Sequence, residues 1–221
     1  RVATFKAAHD LNAELEARYA ANIVSVTRQL RYSVRNDNEL DLVLSVNGIP
    51  VVSIELKNAM TRSTVEDAIR QYRNDRDPRE PIFEFKRRIL AHFAVDTDAV
   101  FMTTRLAGAA THFLPFNRGD NGGAGNPPCR KGQSYRTAYL WELALQRDSL
   151  LDLLARFVHL QTEEKRDEAG RKVKKETLIF PRYHQLEAVR DLVAAAKADG
   201  PGHNYLIEHS AGSGKSNTIG W

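Results

Sequence analysis

Two carboxylates and a lysine form the constellation with the clearest chemical meaning. Glu55 and Lys57 are two positions apart at the end of the apolar run PVVSIELK, so in an extended strand their side chains project from the same face. Asp41 lies near the start of a second run, LDLVLSV at 40–46. The dipeptide Asn47-Gly48 separates the two runs and is typical of a β-hairpin. Asp41 and Glu55 are roughly equidistant from this turn, which predicts that they are cross-strand neighbours.

This grouping of charges suits the hydrolysis of a phosphodiester. The carboxylate oxygens of Asp41 and Glu55 are the ligands that a hard cation such as Mg²⁺ prefers. A bound metal lowers the pKa of its water and offsets charge that builds on a phosphate. Lys57 would orient that water or stabilise the transition state. A surface salt bridge on the polar face of a hairpin is the alternative that the spacing leaves open.

A predicted helix at 63–76 (STVEDAIRQYRNDR) follows the second strand and carries Gln71 together with three arginines. Arg70, Arg73 and Arg76 are expected to contact DNA phosphates. A solvated basic face that is paired with acids of the same helix is equally consistent with the pattern.

A second constellation, HSAGSGKS at 209–216, indicates a phosphate-binding loop. Gly212, Ser213 and Gly214 would let backbone N–H groups approach a phosphate chain, while Lys215 would reach the β and γ phosphates and Ser216 would bind Mg²⁺. His209 stands where the full Walker A pattern has its first glycine. A glycine-rich turn without ligand is the alternative.

The stretch PRYHQ, which ends at Gln185, resembles the adenine-recognising glutamine segment of superfamily 2 helicases. A glutamine amide is able to pair with both N6 and N7 of adenine. An ordinary helix start is the alternative for this segment.

Helical and strand patterns alternate along the rest of the chain, which predicts an α/β or α+β sandwich. A long loop at 117–134 is rich in Gly, Pro and Asn. Residues 163–176 carry 11 charges in 14 positions and are expected to form a solvated linker or an exposed turn. Further predicted helices cover 4–22, 138–160 and 184–198, and further predicted strands cover 90–95, 99–104, 112–116 and 204–208.

Composition is that of an average globular protein. The chain has 221 residues, of which 42% are hydrophobic and 27% charged, and its formal net charge of +4 permits a polyanionic partner without requiring one. The single cysteine, Cys129, excludes an internal disulfide framework and a cysteine-based zinc site, and fits the cytosol. No run of about 18 apolar residues is present, so no membrane-spanning helix is expected.

The order of elements around the first constellation is similar to the PD-(D/E)xK nuclease fold. A helix, a strand with Asp41, a hairpin, a strand that ends in Glu55-Leu56-Lys57 and a second helix follow one another. In that fold the acid pair binds metal and the lysine assists. Leu40 stands where the family motif has proline.

The chain as a whole resembles the N-terminal part of the HsdR-type motor-endonuclease subunit of type I restriction-modification enzymes. The resemblance implies an ATP-dependent type I site-specific deoxyribonuclease of the cytoplasm, which translocates and cleaves double-stranded DNA. It also implies Mg²⁺ and ATP as cofactors and the methyltransferase and specificity subunits as partners. The similar stretches are VTRQLRYS, ELDLVLSVNGIPVVSIELKN, DAIRQYRNDR, FLPFNRGDNGGAGNP, YLWE, IFPRYHQ and HSAGSGKSN.

Residue by residue, the resemblance assigns Asp41, Glu55 and Lys57 to the family's catalytic acids and lysine. Gln71 matches the glutamine of the family's Q-x-x-x-Y element, whereas the position four residues later is Asp75 and a tyrosine, Tyr72, adjoins the glutamine. The implied fold is an α/β, restriction-endonuclease-like mixed sheet flanked by helices, followed by the start of a RecA-like superfamily 2 helicase domain. The expected parts are a nuclease domain at 1–162, a charged linker at 163–178 and the beginning of the motor at 179–221.

Two other functions are weighed against the nuclease. One is a non-catalytic module that guides DNA and docks partner subunits, with acids that are only structural; the other is an isolated ATP-binding module. The chain has no initiator Met and stops one turn after the glycine-rich loop. We therefore expect a fragment of a longer protein that lacks most of the motor and is weak or inactive alone.

Overall fold

A six-stranded mixed sheet forms the centre of the molecule. The computed structural model describes residues 2–7, 11–129, 132, 135–166, 170–210 and 212–221. The strands lie in chain order across the sheet; β3 and β4 run parallel, and the other neighbouring pairs run antiparallel. The strands are β1 Val24–Arg31, β2 Glu39–Val46, β3 Ile49–Leu56, β4 Ala91–Val95, β5 Val100–Thr103 and β6 Leu114–Pro115.

Helices cover both faces of the sheet, so the sheet has a hydrophobic core on each side. The first core lies under helix α2, and the second lies under the helical elements that follow β6. The helices are α1 Ala13–Ala20, α2 Val65–Asn74, α3 Arg147–Asp152, α4 Tyr183–Asp199 and α5 Lys215–Gly220, with 3₁₀ turns at Ala59–Thr61 and Pro81–Phe83 and π-helical turns at Leu140–Ala144 and Leu153–Phe157. The mixed α/β architecture that the sequence predicts is confirmed, while its helicase part stays a prediction.

The hairpin between β2 and β3 contains a bulge that sets which residues face each other. Asn47 and Gly48 both have positive φ, and pairing resumes directly at Val46 and Ile49. The register then shifts by one residue between Leu44 and Ser45. After the shift Leu42 pairs with Ile54, so the next pair along the strands is Asp41 with Glu55. Because a shift of one residue moves every following side chain to the other face, the bulge is what brings the two acids together.

The predictions for the first half of the chain are confirmed at most elements. The strands expected at 40–46, 50–56, 90–95 and 99–104 and the helix expected at 63–76 are present with small changes of boundary, and the strand expected at 112–116 shrinks to Leu114–Pro115. The helix expected at 4–22 is shorter, because the side chain of Asn12 accepts a hydrogen bond from the Leu15 backbone N–H and caps the helix there. Residues 8–10 of that prediction lie outside the described residues.

The helical structure expected at 138–160 is confirmed over most of that range, but it is not one uninterrupted helix. The chain forms two π-helical turns on either side of α3 instead, and extended Gln146 separates the first turn from α3. Helical structure ends at Phe157, and a new strand begins at His159.

The charged segment, which the sequence predicted to be a solvated linker or an exposed turn, contributes to an exposed β-hairpin. Strands β7 His159–Arg166 and β8 Lys172–Ile179 pair antiparallel, and Glu163 and Glu164 lie opposite Lys175 and Lys174. Opposite charges on facing positions support such pairing, which the count of charges alone did not reveal. Residues 167–169 lie outside the described residues, and the division of the chain into nuclease, linker and motor parts stays a prediction.

Two predictions near the C-terminal end and in the long loop have different outcomes. The strand expected at 204–208 is wrong, because this segment pairs with no strand in the described part of the chain and Leu206 is exposed. In the loop at 117–134, buried Asn126 bonds the Arg118 backbone N–H and the Asp98 carbonyl. Positions 130, 131, 133 and 134 of this loop lie outside the described residues.

None of the helices within the described residues combines the length and apolarity that a membrane crossing requires.

Candidate active site

Three alternate positions at the end of β3 point toward helix α2. Ser53, Glu55 and Lys57 each make a hydrogen bond to a side chain on α2 or immediately after it. Ile54, which lies between Ser53 and Glu55, and the preceding Val52 lie in the core on the other side of the sheet. Side chains two positions apart therefore lie on the same face of the strand, as the sequence predicted for Glu55 and Lys57.

Glu55 is fully buried and is held from one side only. Arg76, itself 3% exposed, donates from Nε and Nη2 to the same oxygen, Oε1, at 2.9 and 2.7 Å. The other oxygen, Oε2, is buried and has no hydrogen-bond partner. Burial raises the pKa of Glu55 to about 7; the Arg76 guanidinium opposes this shift, and the neighbouring Asp41 carboxylate adds to it.

Asp41, like Glu55, has one carboxylate oxygen in a hydrogen bond and one without a hydrogen-bond partner among the described residues. Its Oδ2 accepts a hydrogen bond of 2.7 Å from the backbone N–H of Leu56, which ties β2 to the end of β3. No hydrogen bond to Oδ1 is present among the described residues. Each acid thus has one oxygen engaged by the protein and one that is available, and this donor set fits a divalent cation.

A cation at this pair would take the rest of its ligands from elsewhere. The described residues contain no cluster of three or more His, Cys, Asp or Glu that would hold a metal ion. Mg²⁺ is commonly bound in this way, through one or two carboxylates together with waters and substrate phosphates. The candidate metal ligands are therefore Asp41 and Glu55, as the sequence predicted, and that assignment stays a prediction.

Lys57 is fixed at both its backbone and its side chain. Its backbone N–H donates to the carbonyl of Val95 at 2.8 Å, which continues the pairing of β3 with β4. Its Nζ donates to Oε1 of Gln71 at 2.6 Å. Gln71 lies on α2, so the helix sets where the ammonium points.

The three arginines that the sequence assigned to DNA differ in their surroundings. Arg70 is exposed and pairs with Asp67 at 2.7 Å, and Arg73 is exposed while its Nε donates to the carbonyl of Thr111. Arg76 is buried against Glu55 and is not available to a phosphate on the surface. The expected phosphate contact of Arg76 is therefore corrected, because this arginine reaches back over the end of α2 into the sheet.

The tyrosine beside Gln71 does not reach the acids. Tyr72 is fully buried, and its hydroxyl shares a hydrogen bond of 2.8 Å with Ser53, which also bonds Nδ1 of His92. The Asp75 side chain, in the position where the family has tyrosine, is exposed. Tyr72 is therefore part of the packing between α2 and β3.

Sequence reasoning missed Tyr32, which lies just past β1. Its ring centroid is 5.7 Å from the Arg76 guanidinium, on the side of the site that faces β1. No spacing rule connects Tyr32 to the acids. The available signal was its place in VTRQLRYS, one of the stretches that carry the family resemblance.

The part of the chain that holds this site also matches a known family. Residues 10–111 match the model of the type I restriction enzyme R protein N terminus. The chain resembles the N-terminal region of that R protein, and the resemblance that the sequence predicted is confirmed. The matched segment contains Asp41, Glu55, Lys57, Gln71 and all three arginines.

Two curated proteins are similar over most of the chain. One is the putative type I restriction enzyme MjaVIIIP endonuclease subunit of Methanocaldococcus jannaschii, 27% identical over 202 residues that cover 88% of this chain and 17% of that protein. The other is the type I restriction enzyme HindI endonuclease subunit of Haemophilus influenzae, 26% identical over 183 residues that cover 80% of this chain and 16% of that protein. The chain thus spans about a sixth of the length of the curated relatives it matches.

The glycine-rich loop lies beyond the segment that matches the R protein family. Gly212 and Gly214 have positive φ, as a loop of this composition requires. Lys215 begins α5, and its Nζ donates to the carbonyl of His209 at 3.0 Å. Ser213 is buried and Ser216 is exposed, and position 211 lies outside the described residues.

Gln185 packs against this loop. It is 3% exposed, its Nε2 donates to the carbonyl of Gly214 at 2.9 Å, and its Oε1 accepts from the backbone N–H of Arg182. A Cβ at position 214 would lie 2.5 Å from Gln185 Nε2, so a larger residue there would displace the Gln185 amide from this contact. The amide is thus engaged by backbone groups, and its expected role toward adenine stays a prediction.

Proposed function

We propose that this chain is the nuclease part of a type I restriction enzyme and that it hydrolyses phosphodiester bonds of double-stranded DNA with Mg²⁺. The observation that carries the proposal is the pair of available carboxylate oxygens on Asp41 and Glu55, with the ammonium of Lys57 on the same face. Both relatives are named as endonuclease subunits of type I restriction enzymes, which supports the proposal.

Each residue of the site would have a separate role in the hydrolysis. Asp41 and Glu55 would hold the magnesium ion, which when bound acidifies a water and offsets the charge of a phosphate. Lys57 is a fixed cation whose remaining N–H groups are able to orient the attacking water or to stabilise negative charge on the phosphate oxygens. Gln71 sets the direction of Lys57 through the 2.6 Å hydrogen bond.

DNA would approach along the exposed part of α2. Arg70 and Arg73 are its exposed arginines, and they would contact phosphates of the duplex without reading its sequence. Recognition would come from a specificity subunit, with a methyltransferase subunit as the further partner in the complex.

The glycine-rich loop would bind ATP in the longer protein. Backbone N–H groups from Gly212 to Gly214 would approach the phosphates, with Lys215 and Ser216 at the β and γ phosphates and their Mg²⁺. The contact of Gln185 with Gly214 would hold the loop on α4. ATP-driven translocation would then deliver DNA to the nuclease site.

The test is cleavage of supercoiled plasmid by the complete restriction complex, with Mg²⁺ and ATP, for the unchanged R subunit and for Glu55→Gln and Lys57→Met. Both variants are expected to lose cleavage by at least 100-fold while ATP turnover persists. Glu66→Gln is the matched control, because Glu66 is an exposed carboxylate on α2 away from the site.

Cleavage that persists in Glu55→Gln would contradict the proposal and would favour the DNA-guiding and docking module. The same assay on the chain alone asks whether the nuclease acts without the motor. We expect weak or no cleavage there, because no motor delivers the DNA.

A further inference from the structure

The hydrogen bonds of Arg76 to Glu55 are unusually one-sided. In a common arginine–carboxylate pair the two N–H groups bind one oxygen each. Here Nε and Nη2 both bind Oε1, and Oε2 is left buried without a partner. A buried polar atom without a partner is costly, so its presence calls for a ligand that the protein itself does not supply.

The surroundings of Arg76 explain why the pair is one-sided. Nη2 also donates to the backbone carbonyl of Glu39 on β2 at 2.8 Å. The ring of Tyr32 lies against the guanidinium, with its centroid 5.7 Å from Cζ. These two contacts fix the guanidinium beside Oε1 and keep it from sliding across to Oε2.

We propose that Arg76 is a positioning residue that holds Glu55 by Oε1 so that Oε2 is kept for a divalent cation shared with Asp41. The proposal rests on the proposed nuclease function, because it names the residue that orients one of its metal ligands. Arg76 acts through Glu55 and touches neither the metal nor the substrate.

Two other roles for Arg76 make different predictions. If it formed only a structural ion pair, its removal would lower the stability of the chain without changing the metal affinity of folded molecules. If it stood in for the metal and competed for Glu55, its removal would strengthen metal binding. Of the three roles, only the positioning role predicts that removal of Arg76 weakens metal binding in a chain that remains folded.

The experiment is calorimetric titration of the 221-residue chain with Mn²⁺ as the probe. Arg76→Lys keeps the positive charge but lacks the planar fork that reaches Glu55 and the Glu39 carbonyl together. We expect its Kd for Mn²⁺ to be about 10- to 100-fold weaker than that of the unchanged chain. Glu55→Gln should abolish binding, and Arg79→Lys, which changes an exposed arginine just after α2, should leave Kd unchanged.

A second variant covers the case in which Arg76→Lys does not fold. Tyr32→Leu keeps Arg76 and removes the ring that lies against it, and a smaller but measurable weakening of Mn²⁺ binding is expected. Circular dichroism confirms that each titrated variant is folded. An unchanged or tighter Kd in the folded variants would overturn the positioning role.

The outcomes separate this inference from the function on which it rests. Mn²⁺ binding that depends on Glu55 but not on Arg76 or Tyr32 would overturn the positioning role alone. No binding by the unchanged chain, or binding that survives Glu55→Gln, would overturn both the metal site and the positioning role.

Discussion

At the residue scale, the acids and the lysine follow from local pattern, whereas their supports do not. The alternation in β3 predicts that Glu55 and Lys57 share a face, and the Asn-Gly turn predicts that Asp41 lies close by. The partner of Glu55 is Arg76, 21 positions away, at the end of a helix whose orientation no sequence rule supplies. The sequence placed Arg76 on a solvent face for that reason, and the structure buries it.

A buried histidine behind the site yields a prediction about stability and pH. Burial lowers the pKa of His92 to about 3, so the folded chain keeps this ring neutral while the unfolded chain protonates it below about pH 6.5. His92 therefore contributes stability above pH 6.5, and this contribution is lost as the pH falls further. Between pH 7.5 and 5.5 the unchanged chain should lose about 1 kcal/mol more unfolding free energy than His92→Gln does.

Urea unfolding at both pH values measures this difference. The comparison must be made between variants, because the raised pKa of Glu55 contributes with the opposite sign in the same range. His203→Gln, at an exposed position, should show the slope of the unchanged chain. Equal slopes for His92→Gln and the unchanged chain would show that His92 is not held neutral by burial.

At the element scale, the bulge in the β2–β3 hairpin decides whether a site exists. A regular continuation from the Val46–Ile49 pair would place Asp41 opposite Ile54, whose side chain points to the other core. The shift after Ser45 corrects this and places Asp41 opposite Glu55. Counting from the turn predicts the observed pairing of Asp41 with Glu55, although the sequence contains no signal for the bulge itself.

The turn that starts this hairpin is sensitive to its glycine. Gly48 has φ of 82°, a conformation that costs an L-residue about 1–2 kcal/mol, so Gly48→Ala should lower the unfolding free energy by about that amount. Thermal or urea unfolding measures the change. Gly220→Ala is the control, since Gly220 lies in α5 without positive φ and with open space at its Cβ position. A neutral Gly48→Ala would mean that the turn relaxes to another type.

Three segments have a structure that their sequence patterns did not predict. The charged residues at 163–166 and 172–176 form paired strands in which acids and bases face each other, and composition does not show this pairing. The run at 204–208 has the composition of a strand but pairs with none in the described part of the chain. The long pattern at 138–160 was interrupted at Gln146, whose extended backbone breaks the helix.

At the scale of the whole molecule, helix α2 connects the candidate site with an exposed basic surface. One side of α2 and the residue Arg76 just after it bond Ser53, Glu55 and Lys57, and the exposed side of α2 carries Arg70 and Arg73. Asp41 is held separately, by the backbone N–H of Leu56. The sequence predicted the acid and the lysine of β3 and the arginines of α2, but not that one helical segment brings them together.

This arrangement predicts how DNA affinity depends on salt. Each lost phosphate contact lowers the slope of log K against log salt by about 1, so Arg70→Gln combined with Arg73→Gln should reduce it by about 2 and weaken binding to all sequences alike. Fluorescence anisotropy with duplex DNA at several NaCl concentrations measures the slope. Arg18→Gln, an exposed arginine on α1, is the control and should leave the slope unchanged. An unchanged slope in the double variant would place the DNA elsewhere.

The proposed nuclease function requires that Asp41 and Glu55 bind one divalent cation between them. The most direct measurement is the anomalous difference map of crystals of this chain soaked in Mn²⁺. We expect a peak within bonding distance of Asp41 Oδ1 and Glu55 Oε2, with Arg76 still bonded to Oε1. A fully soaked crystal without a peak at these two oxygens, or with Mn²⁺ bound only at other residues, would contradict it.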